Sequence, residues 1–389
     1  MSKIVFILGR DPLLSLAEIQ ALFPEATPEY STDAFAFFDF TKSQPDFNDF
    51  KRLGGTIKTA VIKMTATSHE LSDALAELIV RQNPDSVSKI VYGVSVYGWP
   101  EEHLHSLLMR VKERHQKKGI KSRFINKGNV NLTAAHYLHL LKEGREFAVI
   151  RVGGIFHLGE VVGVQDIEHY SQRDYGKPFR DMRMGMLPPK LAQILLNLSG
   201  VHSGQTVWDP FCGGGTILME GALMGLNMIG SDINPTYLAG AQKNIDWLKH
   251  TFSVNTPVEL FEQDATRGDA PRRVFTADTV VFEGDLGPPL SPSVRPDQIQ
   301  GIVGRLQDLY FDFFSQRAAQ LKKGTVIVSA LPFFRAGHRE FFLTEVVKAI
   351  QNEGLQLDPF LAGERFRDVL LYRRPDQAVG RGIYRFKVL

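Results

Sequence analysis

The sequence predicts an α/β protein: a doubly wound parallel sheet in the C-terminal half, preceded by smaller α+β modules. Three observations carry this. Residues 205–208, 227–232, 258–261, 279–282 and 325–329 are short, nearly continuous apolar runs, as expected of strands buried on both faces. Segments of helical spacing separate them, which is the alternation of a parallel sheet covered by helices. A glycine-rich turn follows the first of these strands, where such sheets bind ligands.

The N-terminal half reads differently. Residues 3–8 are a buried strand, and 15–22 have helical spacing behind the start signal Asp11-Pro12. A β-rich stretch at 34–40, then Leu53-Gly54-Gly55-Thr56 and a strand from Val61 to Met64, complete a small unit expected to end near residue 65. Residues 66–165 form a second module, with a helix at 70–82, a strand at 89–97, a charged helix at 101–118 and a strand at 147–152. Residues 166–185 have little periodicity and read as a linker, which leaves 186–389 for the large sheet. The closing segments 369–372 and 383–388 are expected to add an antiparallel hairpin.

With 389 residues the chain can bury two or more cores. An apolar content of 43 % and a charged content of 23 % fit a soluble globular protein. The net charge of +2 excludes a globally cationic surface, so a nucleic-acid partner would be held by local patches. Cys212 is the single cysteine, which excludes an intramolecular disulfide and a cysteine zinc site and points to a reducing compartment, the cytoplasm. The N-terminus has no secretion signal, and no apolar run approaches the roughly 20 residues of a membrane span.

The decisive stretch is Val207-Trp208-Asp209-Pro210-Phe211-Cys212-Gly213-Gly214-Gly215-Thr216: a strand, an acid, then a glycine turn that opens a helix. Glycine lets a ligand approach the backbone closely. Asp209, at the strand end, is placed to meet an ammonium group. Asp232, with Ile233 after it, ends the next strand and can accept hydrogen bonds from two ribose hydroxyls. A dinucleotide site would instead carry Gly-x-Gly-x-x-Gly to admit a pyrophosphate. Here the glycines stop at Gly215 and Thr216 follows, so the pattern points to S-adenosylmethionine.

Asp264, after the third strand, is positioned to meet the adenine amino group; its structural alternative is an ordinary helix cap. Met186 and Pro188, before a helix with proline in its first turn, are expected to close over the methionine end. Cys212 has no His or Lys beside it in the motif to activate a thiolate and reads as a small packed residue. His136 and His139 share a helix face without further ligands, so no metal site is expected.

Asp209 to Thr216 together with Gly230-Ser231-Asp232-Ile233-Asn234-Pro235 resembles the amino-methyltransferases that modify exocyclic nitrogens of nucleobases. More narrowly, the chain resembles the THUMP-containing tRNA guanosine N2-methyltransferases acting at position 10. Leu8-Gly9-Arg10-Asp11-Pro12, Leu53-Gly54-Gly55-Thr56, Tyr170-Ser171-Gln172-Arg173-Asp174, residues 186–197 and the segment from Arg374 to Arg381 carry this resemblance. It implies an N-terminal ferredoxin-like domain, a THUMP domain and a Rossmann-like S-adenosylmethionine methyltransferase domain. It further implies that the THUMP region grips tRNA while the catalytic domain takes the base.

One departure stands out. Where such enzymes carry Asp-Pro-Pro-Tyr or a close variant at the end of the fourth strand, this chain has Glu283-Gly284-Asp285-Leu286. Glu283 falls on the acidic position and Leu286 on that of the aromatic ring that stacks on the extruded base. Glu283, with Asp285 as the second candidate, is therefore expected to orient the acceptor amine.

Lys112, Arg114, Lys117, Lys118, Lys121, Arg123 and Lys127 form a basic cluster suited to phosphate contacts; the structural alternative is a solvated helix face. The expected partner is tRNA, bound by a monomer, with a small activating protein not excluded. Two other functions fit the same residues: methylation of another nucleic acid, at adenine N6 of DNA or guanine N2 of ribosomal RNA, or RNA binding without catalysis.

Overall fold

The computed structural model describes residues 3–41, 45–46, 48–84, 89–140, 142–181, 186–291, 294–361 and 368–389. The chain folds as two compact units, Met1–Leu16 with Phe23–Glu168, and Ala17–Leu22 with His169–Leu389. Among the described residues no helix is long and apolar enough to cross a membrane.

The chain opens with β1 (Lys3–Leu8), α1 (Pro12–Leu22), β2 (Thr27–Ser31), β3 (Phe35–Asp39), β4 (Thr56–Ala66) and α2 (Leu71–Arg81). It continues with β5 (Ile90–Tyr97), α3 (Leu104–Lys117), β6 (Ser122–Phe124), α4 (Ala134–Leu140), β7 (Gly144–Val152) and β8 (Ile155–Val164). All eight strands join one sheet in the order β2-β3-β1-β4-β8-β7-β5-β6. The sheet runs on past residue 65, where the sequence suggests a module boundary, because β4 pairs with β1 on one edge and β8 on the other. Leu75 and Ile79 of α2 meet Leu104, Leu108 and Val111 of α3 in a core against β5 and β7. These are the i, i+4 and i, i+7 positions that give a helix one apolar stripe.

The second unit receives α5 (Ile167–Tyr175), α6 (Pro189–Leu198), β9 (Thr206–Asp209), α7 (Thr216–Leu223), β10 (Asn227–Asp232), α8 (Pro235–Phe252) and β11 (Val258–Glu262). Then follow β12 (Thr279–Glu283), α9 (Pro296–Ala318), β13 (Val326–Ala336), β14 (Arg339–Phe341), α10 (Thr344–Ala349), β15 (Leu355–Leu357), β16 (Leu370–Tyr372) and β17 (Val379–Val388). The sheet order is β11-β10-β9-β12-β13-β17-β15. Strands β11 through β13 are parallel, and β17 is inserted antiparallel beside β13. The expected closing hairpin forms, with Leu370 opposite Ile383.

The chain leaves β9 toward β10 and β11 on one side and returns to β12 and β13 on the other. The switch point between β9 and β12 opens a crevice at the carboxyl ends of the strands. Trp208, Phe282, Tyr310, Phe313 and Phe314 fill the core beneath it.

Two expectations need correcting. The stretch read as a linker contains α5, whose sequence is polar because only Tyr170 and Arg173 turn inward. Too few apolar positions remain to produce a helical period. The last parallel strand, expected over 325–329, runs to Ala336 as β13, because β17 pairs with it from Val326 to Phe334.

Candidate active site

Asp209, Asp232 and Glu283 are the last residues of β9, β10 and β12, three neighbouring strands, so parallel pairing alone brings three carboxylates to one crevice. The crevice has a volume of about 460 Å³, within the ~300–1,000 Å³ usual for small-molecule sites. Of the residues expected from sequence, Met186, Asp209, Phe211, Gly213, Thr216, Asp232, Ile233, Glu283 and Asp285 line it.

The glycine turn works as the motif implies. Gly213 and Gly215 have φ of 49° and 79°, left-handed conformations that favour glycine. Gly215 caps α7 and its N–H donates to the Cys212 carbonyl at 2.7 Å. The Gly213 N–H donates to Asp232 Oδ2 at 2.9 Å, and the Asn234 N–H to Asp232 Oδ1 at 2.9 Å. The carboxylate is thereby fixed in orientation, and each oxygen keeps a lone pair for a ligand.

Asp209 is 1 % exposed and accepts one hydrogen bond, from the Phe211 N–H at 3.1 Å. Burial pushes its carboxyl well above the usual range; the Phe211 amide opposes this, and Asp232 and Glu283 add to it. Asp232 is also raised by burial, against the pull of the Asn234, Gly213 and Ile233 amides. A buried site whose acids repel one another is complementary to a cation. That is the physical test for a sulfonium nucleoside bearing an ammonium group, and these residues meet it.

Glu283 forms a buried ion pair with Arg381 of β17. Burial pushes its carboxyl up and the guanidinium opposes that shift. Asp285 is the poorer candidate for orienting an amine. Its Oδ1 accepts from the Gly287 N–H at 2.7 Å, its Oδ2 from Arg305 at 3.1 Å, and its carbonyl from the Tyr310 hydroxyl at 2.7 Å. Those bonds spend the side chain on holding the turn. Gly284 is required beside it, since a Cβ there would lie 2.4 Å from the Tyr310 hydroxyl.

Pro210, Gly215, Pro188 and Asp264 are not among the lining residues. Pro210 is buried, and Gly215 acts by turning the chain. Pro188 lines a neighbouring cavity. Asp264 Oδ1 accepts from the Thr266 N–H at 2.9 Å and the Thr266 hydroxyl at 2.7 Å, which holds the turn after β11. Burial pushes the Cys212 thiol well up, with Asp209 and Asp232 adding to the effect, so it stays protonated.

Helix α5 and the segment after it also build the site, a role the sequence does not reveal. Arg173 Nε and Nη2 bond Glu220 of α7 at 2.6 and 3.1 Å in a buried two-point pair. Lys177, whose amine is pushed down by burial, reaches the Thr216 hydroxyl at 3.1 Å. The Phe179 N–H donates to Asn244 Oδ1 at 2.8 Å, while Asn244 Nδ2 donates to the Phe179 and Gly214 carbonyls at 3.0 and 2.8 Å. One asparagine thus ties the segment to the glycine turn, and Lys177, Phe179 and Asp181 become walls of the crevice. The available signal was Asn244 on an otherwise packed helix face, too common a feature to single out.

In the first unit, Lys112, Lys117, Lys118, Lys121, Arg123 and Lys127 are exposed. Arg114 departs from the cluster: it is half-buried and forms a two-point ion pair with Asp73 of α2. Lys117 pairs with Glu113 at 2.7 Å, and Arg123 lies 3.9 Å from Glu143. His136 Nδ1 bonds the Thr133 hydroxyl at 3.0 Å, and the His139 side chain lies outside the described residues. Among the described residues no group of three His, Cys, Asp or Glu is placed to hold a metal ion.

Residues 178–266 match the UPF0020 family, described as an RMKL-like methyltransferase domain. A tRNA (guanine(10)-N2)-dimethyltransferase of Methanothermobacter thermautotrophicus is 32 % identical over 46 % of this chain and 48 % of its own length. The chain therefore spans about half the length of that curated relative. A protein of the same name from Methanocaldococcus jannaschii is 26 % identical over 61 % of this chain and 69 % of its own. Among solved structures, TrmN from Thermus thermophilus covers 100 % of both chains with a TM-score of 0.55 and 17 % identity, a likeness of fold. The chain is therefore similar to UPF0020 methyltransferase domains over residues 178–266, and over part of its length to two proteins named tRNA (guanine(10)-N2)-dimethyltransferase.

Proposed function

We propose that the protein transfers a methyl group from S-adenosylmethionine to an exocyclic amine of tRNA, guanine N2 near position 10 being the site its named relatives suggest. The observation that carries this reading is the trio Asp209, Asp232 and Glu283 at adjacent strand ends, an acidic crevice beside a left-handed glycine turn.

Asp209 receives the ammonium group of the donor, and the ligand's positive charge offsets the cost of ionising a buried carboxyl. Asp232, held by two backbone amides, accepts from the ribose hydroxyls. When bound, S-adenosylmethionine supplies an electrophilic methyl group on sulfur. Glu283 accepts an N–H of the acceptor amine, which holds the nitrogen lone pair toward that methyl and offers a base for the proton released as the N–C bond forms. Phe179 and Lys177 help close the crevice against water.

The basic surface of α3 and β6 is assigned to the RNA backbone, and the protein to the cytoplasm as a monomer. Incubating the protein with radiolabelled donor and an unmodified tRNA transcript, then mapping the product by mass spectrometry, tests the reading. Label on guanine N2 at position 10 is the expected result. Label on adenine, or on DNA but not tRNA, would replace the substrate; no transfer to any nucleic acid would end the proposal.

A further inference from the structure

A second cavity, of about 370 Å³, adjoins the donor crevice and shares Met186, Leu286 and Gly287 with it. Its composition is unusual for a polar region. Pro188, Leu286, Pro288, Pro289 and Leu290 make one apolar wall, where proline adds no N–H, and Arg180, Arg374 and Arg381 supply cationic donors around it. Of its charged groups, Arg374 and Asp376 come from the turn between β16 and β17. Arg373 Nη1 stiffens that turn by donating to the carbonyls of Arg374, Pro375 and Gln377 at 3.1, 3.1 and 2.9 Å.

Tyr175 also lines this cavity, and at 64 % it is the most exposed large apolar side chain among the described residues. Nothing about its mounting is loose. It ends α5, which Arg173 clamps to α7 through Glu220. The Arg180 guanidinium lies 5.3 Å from the ring centroid and donates to the Tyr175 carbonyl at 3.3 Å, so a cation already stacks on the ring. An exposed aromatic stacked on a guanidinium, in a cavity that joins an apolar wall to arginines beside the donor crevice, is an arrangement that receives a flat heteroaromatic ring and the phosphate attached to it.

We propose that Tyr175 is the stacking platform for the acceptor nucleobase. The base lies in this cavity with its exocyclic amine toward Glu283, while Arg374 meets the phosphate that enters with it. The inference rests on the function proposed above, and it assigns the aromatic contact that Leu286 cannot supply at the end of β12.

The test compares wild type with Tyr175→Ala and Tyr175→Phe, measuring steady-state methylation of tRNA, donor affinity by calorimetry, and melting temperature. Loss of base stacking should lower kcat/KM for tRNA roughly ten- to a hundredfold in Tyr175→Ala. Tyr175→Phe should stay within about twofold of wild type, since the ring and not the hydroxyl does the stacking. Donor affinity and melting temperature should be unchanged in both. Wild-type kcat/KM in Tyr175→Ala, an equal loss in Tyr175→Phe, or a parallel loss of donor affinity would each overturn the platform while leaving the methyltransferase reading intact. A wild-type protein that methylates no tRNA would sink both.

Discussion

Arg381 on β17 and Glu283 at the end of β12 form an ion pair across the intervening strand β13, with side chains only 8 % and 12 % exposed. Removing one partner of such a pair leaves a buried charge uncompensated. Arg381→Ala should therefore cost about 3–5 kcal/mol of stability in denaturant unfolding. It should also move the acid limb of the pH–activity profile upward, because burial raises the Glu283 carboxyl and the guanidinium restrains that rise. Glu283→Gln should abolish methyl transfer and leave donor affinity nearly unchanged.

Asp209 gives the opposite sign for stability. Folding raises its pKa, so in the ligand-free protein the ionised carboxyl destabilises as pH climbs above the ordinary value of 3.8 toward the raised one. Asp209→Asn should thus raise the melting temperature at neutral pH, and the gain should vanish as pH falls below 3.8. The same substitution should weaken donor binding, a trade of stability for function. Melting curves from pH 3 to 8 with and without donor would check both arms.

The Arg173–Glu220 pair is the structural counterpart of α5's polar sequence. Arg173→Ala should cost roughly 3–5 kcal/mol, whereas replacing both residues with methionine should cost much less, since neither charge is then left buried alone. Equilibrium unfolding of the single and double variants compares the two.

The cations of the first unit divide into structural and free ones. Lys118, Lys121 and Lys127 have no ion-pair partner among the described residues, whereas Arg114 is committed to Asp73. Reversing the three lysines to glutamate should weaken tRNA binding and flatten its salt dependence by about 0.7–0.9 per lost phosphate contact. Arg114→Ala should lower stability more than RNA affinity. Filter binding across a salt series, paired with melting curves, separates these effects.

What the sequence disclosed follows the range of the interactions involved. The crevice is legible because strand, acid and glycine turn are contiguous in Val207 to Thr216, and because parallel strands carry Asp209, Asp232 and Glu283 to the same end of the sheet, the latter two a couple of residues beyond Asp209 in register. The lining role of Lys177 and Phe179 was not legible, since it depends on Asn244 and Thr216, distant in sequence. Arg381 belonged to a recognisable segment, but its partner is set by the antiparallel register of β17, which places Arg381 opposite Pro332 of β13. The bonds of Asp264 to Thr266 are local, and a strand-end acid that holds its own turn looks, in sequence, like one that meets a ligand.

Calorimetric titration of S-adenosylmethionine into wild-type protein and into Asp232→Ala tests the donor crevice most directly. One molecule should bind per wild-type chain, and Asp232→Ala should lose at least tenfold in affinity, about 1.4 kcal/mol, through the missing ribose contacts. Absence of binding heat for wild type across several temperatures, or an Asp232→Ala variant with undiminished affinity, would contradict the account.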